Sequence, residues 1–145
     1  MPEKPKKKLL YIFGEDDQYN LRAIQQRLGG LFSLTAAGTA CQALELLGRQ
    51  KFDLIMMEIY GLPKGEEFKE HIWKTSWPAL DVLRRLRNNE FAGSGNNSGL
   101  PVYVLTGLAL AESEEVTKQY GPIVLHQMPE KISTIIAACQ ELAGT

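Results

Sequence analysis

The sequence predicts one α/β domain in which a single parallel sheet is covered by helices on both faces. Short apolar runs alternate with helix-period segments along the 145 residues, and this alternation favours right-handed crossovers between parallel strands. In the predicted strand Asp53–Met57, the four residues after Asp53 are apolar at successive positions, which is typical of a strand buried on both faces. The length is that of one domain, and 44% hydrophobic with 23% charged residues is the composition of a globular protein.

Five strands and five helices are predicted in alternation. The strands are short apolar runs bounded by turn residues: Leu9–Phe13, Leu31–Ala36, Asp53–Met57, Pro101–Leu105 and Pro122–Gln127. The helices are the segments after each strand in which apolar residues recur at helical spacing: 21–28, 40–47, 79–87, 113–120 and 132–142.

Two short patterns predict where helices end and begin. Gly29-Gly30 is expected to close the first helix, because glycine accepts the left-handed conformation of a helix cap. Thr39 and Gln42 form the T-x-x-Q pattern of a capping box, which predicts the start of the second helix.

The spacing of the strands indicates two insertions. The first three strands start about 22 residues apart, whereas the fourth starts about 48 residues after the third. We therefore predict a basic N-terminal tail over 1–7 and one domain over 8–143 that contains insertions near 64–77 and 92–99. The first insertion carries Trp73 and Trp77, which either pack as a lid over the neighbouring sheet edge or stay exposed as an anchor for a partner. The second is a Gly/Ser/Asn loop that lacks both a dinucleotide fingerprint and a P-loop.

Composition and charge exclude several classes of protein. Sixteen basic and seventeen acidic residues give a net charge of −1, so the chain has no overall field for nucleic acid or an anionic membrane. The run Arg84–Arg87 is expected to be a solvated helix face. Neither a bilayer-spanning apolar run nor a signal peptide is present, which predicts a cytoplasmic protein. Cys41 and Cys139 lie among helix-forming apolar residues and are expected to be reduced core residues.

Polar side chains follow three of the predicted strands where each strand ends. Glu15 and Asp16 follow the first strand, Glu58 follows the third, and Thr106 follows the fourth. Because the carboxyl ends of parallel strands meet at one edge of the sheet, the three carboxylates are expected to converge there. Carboxylate oxygens suit Mg²⁺. A second interpretation, compatible with the first, is that the acidic run 15–17 caps the next helix.

The chain resembles the receiver domain of two-component response regulators over about 8–142. Four segments carry the resemblance: Gly14–Leu21, Thr39–Ile55, Leu80–Arg87 and Leu100–Gly107. It implies a flavodoxin-like three-layer sandwich with strand order 2-1-3-4-5. It also implies a chemistry, since a typical member takes phosphate from a histidine kinase onto an aspartate that ends the third strand. That aspartate and the acidic pair hold Mg²⁺, a Thr or Ser hydroxyl contacts the phosphoryl group, and a lysine before a proline pairs with it.

The sequence departs from that pattern at three positions. Glu58 occupies the phosphoacceptor position, and its extra methylene moves the carboxylate by about 1.5 Å, a displacement that can cost about a hundredfold in rate. Met128, before Pro129, occupies the lysine position, and a thioether cannot offset phosphoryl charge. Leu125 occupies the position of an aromatic residue on the fifth strand. Thr106 is then expected to satisfy local backbone groups rather than a phosphate.

These departures predict an atypical receiver, or pseudo-receiver, that is not an enzyme and works as a protein–protein signalling module. Its expected surface is Ser113–Leu142, and its expected partners are a sensor kinase or an output domain. Mg²⁺ is the one cofactor expected, with Glu15, Asp16 and Glu58 as its ligands. Three alternatives stay open: Glu58 as a stand-in for a phosphorylated aspartate, a working Mg²⁺-dependent phosphoacceptor, and a flavodoxin-like small-molecule binder.

Overall fold

One sheet of parallel strands organises the part of the chain that the structure describes. The computed structural model describes residues 5–14, 21–60, 62–65, 77–88, 99–107, 110–121, 123–128 and 130–144. Within them the strands are β1 (Lys8–Ile12), β2 (Ser33–Ala37), β3 (Leu54–Met57), β4 (Val102–Thr106) and β5 (Ile123–Gln127). They are paired in the order β2-β1-β3-β4-β5, so the predicted parallel sheet and its strand order are confirmed.

Helices cover both faces of this sheet. They are α1 (Leu21–Leu31), α2 (Ala40–Arg49), α3 (Pro78–Arg87), α4 (Leu110–Thr117) and α5 (Ile132–Ala143), and a 3₁₀ turn (Lys118–Tyr120) continues α4. None of the helices in the described residues is long and apolar enough to cross a membrane.

Alternate residues of the strands build two apolar cores. On one face, Leu10 and Ile55 join a cluster with residues of α2 and α3. On the other, Leu9 and Leu54 join a cluster with residues of α1 and α5. All four residues of β3 are completely buried, so the prediction of a strand buried on both faces is confirmed. Cys41 and Cys139 are buried free thiols, as predicted.

The end of α1 and the start of α4 differ from the prediction. α1 continues to Leu31, so the expectation that Gly29-Gly30 closes it is wrong. The next residue, Phe32, is 2% exposed and its N–H donates to the Leu28 carbonyl at 2.8 Å. Burial of that ring outweighs the cost of glycine in a helix, about 1 kcal/mol per residue. α4 begins at Leu110, ahead of the predicted 113, because its acidic sequence has no apolar stripe that marks a start.

The capping box of α2 is confirmed with one shift. The Thr39 hydroxyl accepts from the Gln42 N–H at 3.1 Å, but the Gln42 side chain accepts from the Gly38 N–H, not from that of Thr39. The first two N–H groups of the helix, those of Ala40 and Cys41, donate to the Pro63 and Lys64 carbonyls. The segment 62–65, which follows the end of β3, is therefore fixed against the start of α2.

The expectation that Arg84–Arg87 is a solvated helix face is wrong. Arg87 donates from Nε to the Tyr120 carbonyl at 2.6 Å and from Nη1 to the Leu100 carbonyl at 2.7 Å. The Arg84 side chain is 16% exposed and lies 3.4 Å from the fully buried carboxylate of Asp81. The charged residues of α3 predicted a face exposed to solvent, but in the fold Arg87 packs against the 3₁₀ turn.

Candidate functional site

Glu58 lies where the sequence places it, immediately after β3 at the carboxyl edge of the sheet. Its N–H donates to the Ile12 carbonyl at 3.1 Å, which fixes its backbone beside the end of β1. The residue is partly exposed, unlike the four completely buried residues of β3 before it. A carboxylate in this position keeps contact with solvent and faces the edge where ligands bind in open α/β sheets.

Thr106 ends β4, the next strand of the sheet, and is 2% exposed. Its hydroxyl oxygen accepts a hydrogen bond from the Ser113 hydroxyl of α4 at 3.2 Å. Its carbonyl oxygen accepts from the Met128 N–H at 2.7 Å. This partner of the Thr106 hydroxyl is the side chain of Ser113. The backbone carbonyl of Thr106 holds the backbone of Met128, the residue in the lysine position.

Met128 follows β5 directly, and β5 pairs with β4 up to Thr106 and Gln127. The predicted place of Met128 at the same edge as Thr106 is confirmed. Its side chain is 8% exposed and packs in the apolar cluster on the α1 and α5 face. A buried thioether brings no charge to the edge, so it cannot pair with a phosphoryl group.

The predicted magnesium site is described by the structure at one of its three residues. Glu15 and Asp16 lie outside the described residues, and Glu58 lies inside them. The described part of the chain contains no group of three or more His, Cys, Asp or Glu residues that could hold a metal ion. The Ile12–Glu58 hydrogen bond brings the end of β1 beside Glu58, so the donor set fits a hard cation only if the acidic pair turns back to it. That convergence stays a prediction.

Sequence reasoning missed two residues at this edge, Tyr60 and Ser113. The Tyr60 hydroxyl lies 3.5 Å from the Ser113 hydroxyl oxygen, and its ring meets Trp77 edge to face with centroids 4.8 Å apart. Trp77 therefore packs on Tyr60 yet remains 38% exposed, and Trp73 lies outside the described residues. One signal in the sequence marked Ser113: it and Thr117 are hydroxyl residues one turn apart in an acidic helix.

A second polar pair lies away from the edge, between β4 and β5. The Tyr103 hydroxyl is 2.6 Å from His126 Nδ1, and the two rings are edge to face. Tyr103 is completely buried, and burial raises the pKa of its hydroxyl. His126 also lines a groove of about 490 Å³ between β5 and α5, together with Ser133, Ala137 and Glu141. This groove lies within the predicted partner surface Ser113–Leu142.

Comparison with protein families and with curated proteins finds no match for the chain, but solved structures do match. The receiver domain of a Pseudomonas aeruginosa sensor histidine kinase, crystallised with magnesium coordinated in its active site cleft, is 21% identical. It superimposes with a TM-score of 0.70 over 97% of this chain and 99% of that domain. The receiver domain of a Francisella response regulator is 18% identical, with a TM-score of 0.68 over 96% and 98% of the two chains.

The chemotaxis protein CheY4 of Vibrio cholerae gives a similar result, with 14% identity and a TM-score of 0.67 over 94% of this chain and 98% of that one. These likenesses cover nearly the whole length of each molecule. The chain therefore has the flavodoxin-like fold of CheY-like receiver domains, as predicted.

Proposed function

We propose that the chain is an atypical receiver domain that works as a protein–protein signalling module of two-component signal transduction, without the usual phosphorylation. The proposal depends on one observation: the fold of a receiver carries Glu58 after β3 and a buried Met128 after β5. In the family that the sequence resembles, those two positions hold the nucleophile and its cationic partner. The fold alone does not decide function, so the argument rests on these side chains.

The chemistry of the two positions opposes phosphoryl transfer. A phosphoryl group brings a charge of about −1.5 to −2 and three acceptor oxygens. Glu58 would present its carboxylate about 1.5 Å farther along its side chain than aspartate does. Met128 adds no positive charge, because its thioether packs in the apolar cluster. Both the attack and the stabilisation of its product are weakened, and we propose that the domain is not an enzyme.

Mg²⁺ binding is compatible with this function. Glu58, with Glu15 and Asp16, would hold the ion, and carboxylates of this kind commonly bind Mg²⁺ that retains several waters. When bound, the ion would offset the mutual repulsion of the three carboxylates. Thr106 does not depend on the ion, because Ser113 and Met128 already fix its hydroxyl and carbonyl groups.

The surface that we assign to a partner is Ser113–Leu142, and the partner is a sensor kinase or an output domain in the cytoplasm. The groove between β5 and α5 supports this assignment, because small residues such as Ser133 and Ala137 leave room beside the edge strand. Every residue from Ile123 to His126 in β5 is partly exposed. An edge strand that is incompletely covered can accept a partner.

Intact mass after incubation with Mg²⁺ and acetyl phosphate tests the proposal. We expect no phosphoryl adduct of about 80 Da on the natural chain. The matched control is the double variant Glu58→Asp, Met128→Lys, which restores both family residues and should acquire the adduct. A stable adduct on the natural chain would overturn the proposal in favour of a working phosphoacceptor, the alternative favoured by the magnesium-containing relative.

A further inference from the structure

Three hydroxyl groups from three separate segments lie in a row beside the candidate site. They belong to Tyr60 in the loop after β3, Ser113 in α4, and Thr106 at the end of β4. Ser113 is completely buried and Thr106 is 2% exposed. Thr117, one turn farther along α4, donates to the Ser113 carbonyl at 2.8 Å and so uses its own proton within the helix.

The direction of this row follows from the number of protons. A hydroxyl group has one proton to donate and two lone pairs that accept. Ser113 gives its proton to Thr106 at 3.2 Å, so the contact with Tyr60 is made when the phenol donates to Ser113. The hydrogen bonds therefore run from Tyr60 through Ser113 to Thr106, whose hydroxyl oxygen accepts the last of them.

The Tyr60–Ser113 contact is the weak member of the row. Its oxygen–oxygen distance is 3.5 Å, whereas O–H···O hydrogen bonds are commonly about 2.7–2.8 Å. A small shift of α4 or of Thr106 would therefore close this contact or break it. Because Ser113 and Thr106 are shielded from water, either change alters the free energy more than it would at the surface.

The other side of Tyr60 reaches the protein surface. Its ring lies edge to face with Trp77 at a centroid distance of 4.8 Å and an angle of 86°. Trp77 immediately precedes α3 and is 38% exposed. A change in the orientation of the Tyr60 phenol therefore changes the packing of an indole that solvent or a partner can touch.

We propose that Tyr60, Ser113 and Thr106 form a hydroxyl relay that couples the carboxyl end of β4 to the exposed indole of Trp77. Through the relay, a change in conformation at this edge alters the packing of Trp77 at the start of α3, outside the partner surface Ser113–Leu142. It depends on the observed contacts and not on the proposed signalling role.

The test measures the fluorescence of Trp77 and its quenching by acrylamide. The sequence holds two tryptophans, so all variants are made in a Trp73→Phe background. Thr106→Val removes the terminal hydroxyl at nearly constant volume. We expect it to raise the acrylamide quenching constant of Trp77 by about 1.5-fold or more, against a ceiling of about 2.5-fold for an indole that is already 38% exposed.

The decisive comparison repeats Thr106→Val with Tyr60→Phe present, which removes the phenol proton and keeps the ring contact with Trp77. The relay requires the effect of Thr106→Val on Trp77 to disappear in that background. Thr117→Val is the matched control, since it deletes a buried hydroxyl of α4 outside the relay and should leave Trp77 unchanged.

Two results would overturn the relay: no change of Trp77 in Thr106→Val, or an equal change with and without the Tyr60 hydroxyl. If circular dichroism shows that Thr106→Val is unfolded, Ser113→Ala replaces it, because it removes the same hydrogen bond from the helix side. The experiment uses neither phosphodonor nor partner, so its failure and failure of the proposed function are distinguishable.

Discussion

Arg87 joins α3 to two other segments, and its removal should destabilise the domain strongly. The guanidinium group donates to the carbonyl oxygens of Leu100, just before β4, and of Tyr120, in the 3₁₀ turn. Both acceptor residues are less than 10% exposed, so water cannot freely replace the lost donor. Arg87→Met keeps the aliphatic part of the side chain and deletes both hydrogen bonds.

The magnitude follows from these contacts. A hydrogen bond from a charged donor contributes about 1.5–3 kcal/mol. Arg87 makes two such bonds to acceptors in the described part of the chain, but burial lowers the pKa of Arg87 by desolvation, and desolvation of the charged form offsets part of the gain. We therefore expect Arg87→Met to lower the free energy of unfolding by about 3 kcal/mol. For a domain of this size that corresponds to a decrease in Tm of about 10 °C.

Urea unfolding followed by circular dichroism measures this loss. The matched control is Arg49→Met, another arginine at the end of a helix, whose side chain is 64% exposed and forms an ion pair with Glu45 one turn earlier. That control should cost about 0.5 kcal/mol. If Arg87→Met costs no more than Arg49→Met, the carbonyl contacts do not stabilise the fold and the reasoning is refuted.

Three further predictions concern the stability of the fold. Gly121→Ala should cost about 1–2 kcal/mol in urea unfolding, because φ is +81° and a Cβ atom would lie 3.0 Å from Arg87 Nε; a neutral substitution would contradict this. Tyr103→Phe should cost about 1 kcal/mol, the net value of the hydrogen bond to His126, and a rise in stability would show that the bond is not favourable. Burial raises the pKa of Cys139 to about 12; the folded state thus holds this proton more tightly, so the free energy of unfolding should fall as pH rises from about 9 toward 12. The loss should be smaller in Cys139→Ala, where the raised pKa of Tyr103 still contributes, and an unchanged loss would contradict the role of Cys139.

The sheet was predictable from sequence because its signals are local. The unbroken apolar run Leu54–Met57 predicts β3, and the structure buries all four of its residues. The Thr39–Gln42 pattern predicted the start of α2 because both hydrogen bonds of the cap lie within five residues. In each case the physical cause and the sequence signal occupy the same short segment.

Long-range packing explains what the sequence left undetermined. Gly29-Gly30 carries a local signal to stop, which the burial of Phe32 overrides. The charged sequence around Arg87 predicts exposure to solvent, because the carbonyl groups that accept its hydrogen bonds are 13 and 33 residues away in the sequence. The Tyr60–Ser113 contact spans 53 residues, and no pattern within either segment indicates it. Polar groups that find distant partners resemble solvated ones in a sequence.

The two substitutions at the candidate site also differ in their consequences for the fold. Glu58 remains partly exposed beside the end of β1, so it preserves a charge at the edge without adding to the core. Met128 instead adds its side chain to the apolar cluster of α1 and α5, where an ammonium group would have to be desolvated or extend out to water. Compared with a lysine, the thioether of Met128 lacks a charge that can bind an anion, and it adds buried apolar surface. In the proposed function, one side chain therefore has both effects: Met128 brings no charge to the edge of the sheet, and it adds to the packing of the core.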